Sequence, residues 1–245
     1  MIRHMLLPVL ALSLFGCKGD RGPVGPSLSG SIQGTVVLFD EFGDRMQDNS
    51  GVTIVVEEAA LSTTSASTGR WDIQSIPTGI YTLTFAKSAF STRKLVSVQF
   101  VGGGTLYLNA VQLIELPHFT VPQIAASLVP GSTIVTIRGT VSSAHSDGRR
   151  IMILFSNIRE ISHDPVTYLN TWMISAMPDS INFNTSAPIL DIDLIKPKLT
   201  AGKLYVIAYS LSGTGPLFNY HPLMQNLEIT NLGSVPSNLD SVLVL

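Results

Sequence analysis

Few side chains in this sequence combine the type and the spacing that chemistry requires. Cys17 is the single cysteine of 245 residues. It has no intrachain partner, so a disulfide framework or a paired redox site has nothing to build on. Of the histidines His118, His145, His163 and His221, none has another three to five residues away, which denies zinc its usual ligand spacing. Each reads most simply as a polar loop residue beside a turn or a proline. Ser162-His163-Asp164 sets the members of a hydrolytic triad side by side, yet triad groups must converge from separate segments, which adjacent residues cannot do. A Gly-x-Ser-x-Gly elbow is absent, and so is a His-x-x-Glu peptidase motif.

The carboxylates are weighed in the same way. Asp40, Glu41, Asp44 and Asp48 could gather oxygens around calcium, but their spacing lacks the glycine at the sixth position of an EF-hand loop. A solvated hairpin loop accounts for them more simply. Asp191 and Asp193 share one strand face opposite Leu190, Ile192 and Leu194, again as a solvated face. Asn184-Thr185-Ser186 is a formal glycosylation sequon. Trp71 and Tyr81 fall at expected core positions, whereas Tyr168, Trp172, Phe218 and Tyr220 lie in less regular stretches. If exposed on a rigid face, Tyr168, Trp172 and Tyr220 would suit stacking on sugar rings. The sequence therefore assigns no catalytic residue, no cofactor and no metal.

The elements that must position these residues are strands. From Ser31 the apolar period is two: Ile32, Gly34, Val36 and Leu38; then Val52, Ile54 and Val56; Trp71 and Ile73; Tyr81, Leu83 and Phe85; Val96, Val98 and Phe100; Leu106 and Leu108. Turn signals at Gly43-Asp44, Ser50-Gly51, Thr68-Gly69, Thr78-Gly79 and Gly102-Gly103-Gly104 separate them. Beyond a short linker at Leu116-Pro117-His118 and Val121-Pro122 the alternation resumes, and Leu204 to Leu211 is a strongly apolar strand. Between Arg159 and Ser180 it blurs, which predicts a short helical turn or an irregular connection. Short alternating strands at this spacing predict an all-β fold, two β-sandwiches in tandem. Charged residues are only 13% of the chain and both signs are scattered. Without a basic stripe, nucleic acid is not an expected partner.

The start of the chain reads as a targeting segment. Arg3 and His4 precede an uncharged run from Met5 to Phe15, too short to span about 30 Å of hydrocarbon and of signal-peptide length. It ends in Leu14-Phe15-Gly16-Cys17, which resembles the lipobox of bacterial lipoproteins. The resemblance implies cleavage after residue 16, acylation of Cys17, palmitate among the acyl chains, and membrane attachment as the first partnership; more than one chain is needed for stable anchoring. An ordinary secreted protein with a stray cysteine is the alternative. Three Gly-X-Y triplets follow and stop at Leu28, too few for a triple helix; a Pro-rich tether over 17–30 reaches roughly 40 Å at most. Lys18 after the cysteine, in the lipoprotein resemblance, favours the outer membrane.

Two further resemblances cover the strands. "GTVVLFDEFGDRMQDNSGVTIVVE", "STTSASTGRWDIQSIPTGIYTLTFAKSAF" and "VQFVGGGTLYLNAVQL" together resemble the carboxypeptidase regulatory-like domain, a transthyretin-like β-sandwich, over about 31–116. That domain is an accessory part of the enzymes it is named for, so the resemblance implies no peptidase activity. "AGKLYVIAYSLSG" is similar to the F strand of fibronectin type III or immunoglobulin-like domains, which would make 117–245 a second sandwich and Tyr205 a corner tyrosine bonding back to the backbone. The expected function is a non-catalytic, lipid-anchored envelope protein that displays sandwiches to a protein or glycan partner. The rival is a carbohydrate-binding accessory module.

Overall fold

The computed structural model describes residues 28–128, 132–188, 196–221 and 226–244. The targeting segment, Cys17, Asp191 and Asp193 lie outside the described residues, as does the side chain of Tyr220. Among the described residues the chain is all-β, with three short 3-10 turns and no α-helix.

The first half contributes β1 (Ser29–Phe39), β2 (Thr53–Val56), β3 (Leu61–Thr64), β4 (Arg70–Pro77), β5 (Gly79–Ala86), β6 (Arg93–Phe100), β7 (Thr105–Tyr107) and β8 (Val111–Ile114). One sheet runs β4-β1-β7, with β8 also on β1; the other runs β3-β2-β5-β6. β1 pairs antiparallel with β4 and parallel with β7 and β8. The period of two sends Ile32, Val36, Leu38, Trp71 and Ile73 inward to meet Ile54, Val56, Leu83 and Phe85 from the facing sheet. Trp71 stands edge-on to Phe85, centroids 5.5 Å apart. Gly34 makes room for it, since a Cβ there would come within 2.8 Å of the Trp71 ring. One strand departs from the sequence reading. Ser97 takes φ +57, and between the pairs Leu83–Leu95 and Tyr81–Val98 β6 places two residues, Val96 and Ser97, against the single Thr82 of β5. This bulge turns Leu95, Val98 and Phe100 inward and takes Val96 out of the expected row.

The second half contributes β9 (Gln123–Leu128), β10 (Ile134–Thr140), β11 (Arg149–Ser156), β12 (Asn170–Ala176), β13 (Asn182–Pro188), β14 (Lys203–Leu211), β15 (Phe218–His221), β16 (Asn226–Ile229) and β17 (Asp240–Leu243). The sheets are β13-β10-β9 and β12-β11-β14-β17, with β15-β16 a separate hairpin. Ile124, Val135, Ile137, Ile151, Ile153, Phe155, Leu204 and Val206 fill the space between the two sheets. The larger sheet is also covered on its outer face. Met152, Leu154, Ile207, Tyr209 and Leu211 pack there against Ile161, Ile229 and Leu232. Burial on both faces is why β11 and β14 read as continuous apolar runs and not as alternating ones.

The open edge of β9 is blocked by side chains that imitate a next strand. Asn238 accepts from Ile124 N at 2.6 Å and donates to Ile124 O at 3.1 Å, and Asp240 accepts from Ala126 N at 2.7 Å. The blurred stretch after Arg159 is irregular up to Leu169 and then becomes β12. Tyr205 packs against the outer cluster, and among the described residues its hydroxyl bonds to no backbone atom. The tyrosine that bonds back four residues is Tyr81, whose hydroxyl donates to Pro77 O at 2.7 Å.

Candidate functional site

Three of the titratable residues singled out by type, Glu41, His118 and His145, meet at the joint between the two sandwiches. Glu41 sits in the turn after β1 and reaches across to Arg149, the first residue of β11, with Nη1 3.1 Å from Oε1. Both side chains are nearly enclosed, at 8% exposure for Arg149 and 11% for Glu41. The guanidinium also donates to Ser143 O at 3.3 Å and Ser143 Oγ at 3.1 Å. It lies over the rings of Phe42 and Phe119, 5.3 Å and 4.7 Å from their centroids. Phe42 stacks on His145 at 3.9 Å.

The linker closes the same cluster. His118 N donates to Glu41 Oε2 at 2.9 Å, and His118 Nε2 lies 3.3 Å from Glu115 Oε1. Gly213 N donates to Glu41 O at 2.9 Å. The segment that reads as a linker is therefore held by both halves. A second clasp forms where the β15-β16 hairpin meets β6. Arg93 donates to Phe218 O, Asn219 Oδ1 accepts from Lys94 N at 3.2 Å, and Asn219 Nδ2 donates to Thr92 O at 2.9 Å. Buried Asn231 braces the connection to that hairpin by bonding Ser212 O, Gly215 O and Leu217 N.

The carboxylates of Asp40 and Asp48 are already engaged. Asp40 Oδ1 accepts from Phe42 N and Asp44 N at 2.9 Å each. Asp48 takes the Ser50 amide and hydroxyl, and these two bonds, the amide first, hold its carboxyl below the usual range. Among the described residues no group of three or more His, Cys, Asp or Glu could hold a metal ion. His163 stands apart, edge-on to Tyr209, and Ser162 is bonded within its own turn to Thr167.

Tyr168 and Trp172, two of the aromatics selected from the sequence, pack on different faces of the larger sheet. Trp172 packs against the core between the two sheets, and Tyr168 packs against the cluster on the outer face. Burial is the first cause that raises the Tyr168 hydroxyl pKa, with the Asp164 and Glu228 charges adding to it.

Two surfaces do offer converging polar groups. On the second sandwich a cleft of about 770 Å³ lies over β9, β10 and β13, lined by Arg138, Thr140, Asn182, Asn184, Gln123 and Met177 among others. On the first sandwich the outer face of β4-β1-β7 carries Tyr107, 73% exposed. The register sets Tyr107 beside Gln33 and Gln33 beside Asp72, with Thr35 beside Arg70 one step along. Sequence reading passed over Tyr107 because β7 has only three residues. The signal that could have found it is Leu106 and Leu108 pointing inward, which turns Tyr107 out.

No family model and no curated protein matches this chain. Three solved structures show a remote likeness. A DUF3823 family protein from Parabacteroides merdae is 16% identical with a TM-score of 0.33, over 88% of this chain and 99% of that one. A proposed carbohydrate binding protein from Bacteroides uniformis is 12% identical with a TM-score of 0.32, over 87% of this chain and 98% of that one. A chain of a mutant type II cohesin–X–dockerin complex from Acetivibrio cellulolyticus is 17% identical with a TM-score of 0.29, over 34% of this chain. The present chain spans 56% of that chain's length. By its own strands and cores, this protein is an all-β sandwich protein.

Proposed function

We propose that this chain is a non-catalytic, lipid-anchored protein of the cell envelope, built to hold two joined β-sandwiches away from a membrane for binding. The observation that carries this reading is the destination of the charged groups. Glu41, His118, His145 and Arg149, residue types a catalytic site would need, are engaged with one another and with Phe42 in the joint between the sandwiches. The open polar faces are left to meet a partner.

The strand orders support two modules, 31–116 and 117–245. In the second, the first, second and fifth strands form one sheet, and the third, fourth, sixth and last form the other. Immunoglobulin-type sandwiches distribute strands A, B, E and C, F, G in this way, with the fourth strand in the C′ position. That order supports a fibronectin type III or immunoglobulin-like reading. The first module, with its paired turns and central β1, suits the carboxypeptidase regulatory-like reading.

The anchor is read from Leu14-Phe15-Gly16-Cys17, and Lys18 after the cysteine favours the outer membrane as its site. Cys17→Ser tests it. Palmitate labelling is expected to disappear and the protein to move from the membrane to the soluble fraction. An unchanged membrane pool in the variant refutes the anchor.

A further inference from the structure

The outer face of β4-β1-β7 has the make-up of a saccharide platform. Three strands in register set Tyr107, Gln33 and Asp72 in a row, which at sheet spacing spans about 10 Å. Among the described Phe, Tyr and Trp side chains, the ring in this row is the most open, at 73% exposure. Its strand is fixed laterally by Ser31, Ile32 and Gln33, and Leu108 N donates to Gln33 O at 2.8 Å just beyond it. Tyr107 therefore stands on a rigid base, and stacking on it costs little further ordering of the backbone.

The groups around the ring are the complement of a polyol. Gln33 offers a donor and an acceptor from one planar amide, the pattern that neighbouring hydroxyls match. Asp72 is under-satisfied. Its Oδ2 accepts from Gln74 Nε2 at 2.9 Å, while Oδ1, shielded by its surroundings, has no hydrogen-bond partner. Turning the carboxylate toward an arriving hydroxyl would supply one. Arg70 is exposed at the Thr35 end of the face and has no ion-pair partner among the described residues. Arg70 and Asp72 bring opposite charges, so the face favours an uncharged ligand.

The shape agrees with the chemistry. Two shallow hollows, about 450 and 390 Å³, lie along β1 on this face and share Gln33. Together they follow the strand from Ser29 to Thr35, about 20 Å, which suits a short chain of sugar rings better than one ring. A stable protein partner would want an apolar centre within roughly 800 Å² of contact; here one ring is neighboured by the polar side chains of Gln33, Asp72 and Arg70.

We infer that this face binds a neutral pyranose oligosaccharide, with Tyr107 stacking on the apolar face of one ring and Gln33, Asp72 and Arg70 bonding its hydroxyls. The inference rests on the reading of the chain as a binding protein and supplies the ligand class. The test uses the full chain, purified in detergent, on an immobilised panel of neutral gluco-, galacto- and manno-oligosaccharides. Retention by at least one member is expected. Tyr107→Ala is expected to weaken it about tenfold, equivalent to about 1.4 kcal/mol, with an unchanged melting temperature because the ring packs against little. Tyr107→Phe, which keeps the stacking face, is expected to stay within about twofold of the parent. A blank panel, retention of charged saccharides alone, or undiminished binding by Tyr107→Ala overturns the inference. A blank panel leaves the membrane anchor standing, and failure of the Cys17→Ser experiment leaves the saccharide result standing.

Discussion

Replacing Glu41 tests whether the two sandwiches act as one body. Its ion pair with Arg149 is 3.1 Å long and both side chains are about nine-tenths enclosed. At an effective dielectric of 20 the gross attraction is about 5 kcal/mol, most of it offset by the cost of drying both charges. The informative quantity is the loss when one partner alone is removed. Glu41→Gln preserves the shape and an acceptor for His118 N, yet leaves the Arg149 charge buried. Arg149 keeps Ser143 and the two phenylalanine faces, so the loss is expected at the low end for a broken buried pair, about 3 kcal/mol. Replacing both residues with methionine is expected to recover much of it, because no charge is then stranded. Urea unfolding provides the assay, and the two tryptophans make it specific. Trp71 reports the first core and Trp172 the second, so single-tryptophan variants follow each sandwich separately. The parent is expected to show coincident transitions, and Glu41→Gln is expected to separate them. A coupling energy below about 0.5 kcal/mol in the Glu41–Arg149 cycle would match an ordinary exposed pair. That result, with transitions unmoved, would refute the joint.

Two further perturbations probe the clasp and the surface. Asn231→Ala strips three backbone groups of their partner in a fully buried site; a loss of about 2–4 kcal/mol is expected, with faster amide exchange at the hairpin, and a change below about 0.5 kcal/mol would count against the brace. Glu57 and Glu58 have lowered pKa values, Glu57 chiefly through the Thr84 hydroxyl and then Lys94, Glu58 chiefly through the Thr82 amide. A lowered carboxylate stabilises the fold above its unfolded pKa of about 4.3 and loses that contribution as pH falls through the folded value. Melting temperature is therefore expected to drop on going from pH 5 toward pH 3, and Glu57→Gln to flatten the slope slightly, since exposed groups of this kind contribute only about 0.2–1 kcal/mol.

Most of the strands were legible because one-sided burial stamps a period of two on the sequence. Ile32, Val36 and Leu38 in β1, and Tyr81, Leu83 and Phe85 in β5, are buried as the alternation requires. It fails where geometry adds or removes a residue. The Ser97 bulge flips Val96, a shift that no periodicity can report because it depends on the φ of one residue. The pattern is also silent about what covers a second face. The unbroken run from Leu204 to Leu211 announces double burial, but which segments supply the outer layer, Ile161, Ile229 and Leu232, is a matter of tertiary contact. The site was the least legible part. Tyr168 and Trp172 looked available because the alternation blurs around them, yet Tyr168 lies in irregular chain that covers the outer face and Trp172 sits in β12, packed against the inner core. Glu41 and Arg149 are 108 positions apart and carry no local signal of each other.

The way the chain enters its first strand bears on how such a protein would carry load. Leu28 O accepts from both the amide and the hydroxyl of Thr78, and the Thr78 hydroxyl also reaches Val101 O. Gly103 N donates to Ser29 O and Ser31 N to Gly104 O. Gly102 must be glycine for this seam, since at φ +73 a Cβ would stand 2.7 Å from Leu28 O. The described chain thus begins in a stitched seam and continues into β1, which has partners along both edges. With an anchor at Cys17, a pull through the tether would act along β1 and load its ladder bonds together, in shear. At an edge strand pulled from its tip they would open one at a time. The Thr105 end of the Tyr107 face adjoins the same seam, so the surface inferred to hold sugar is borne by the strand through which the pull of its own attachment would pass.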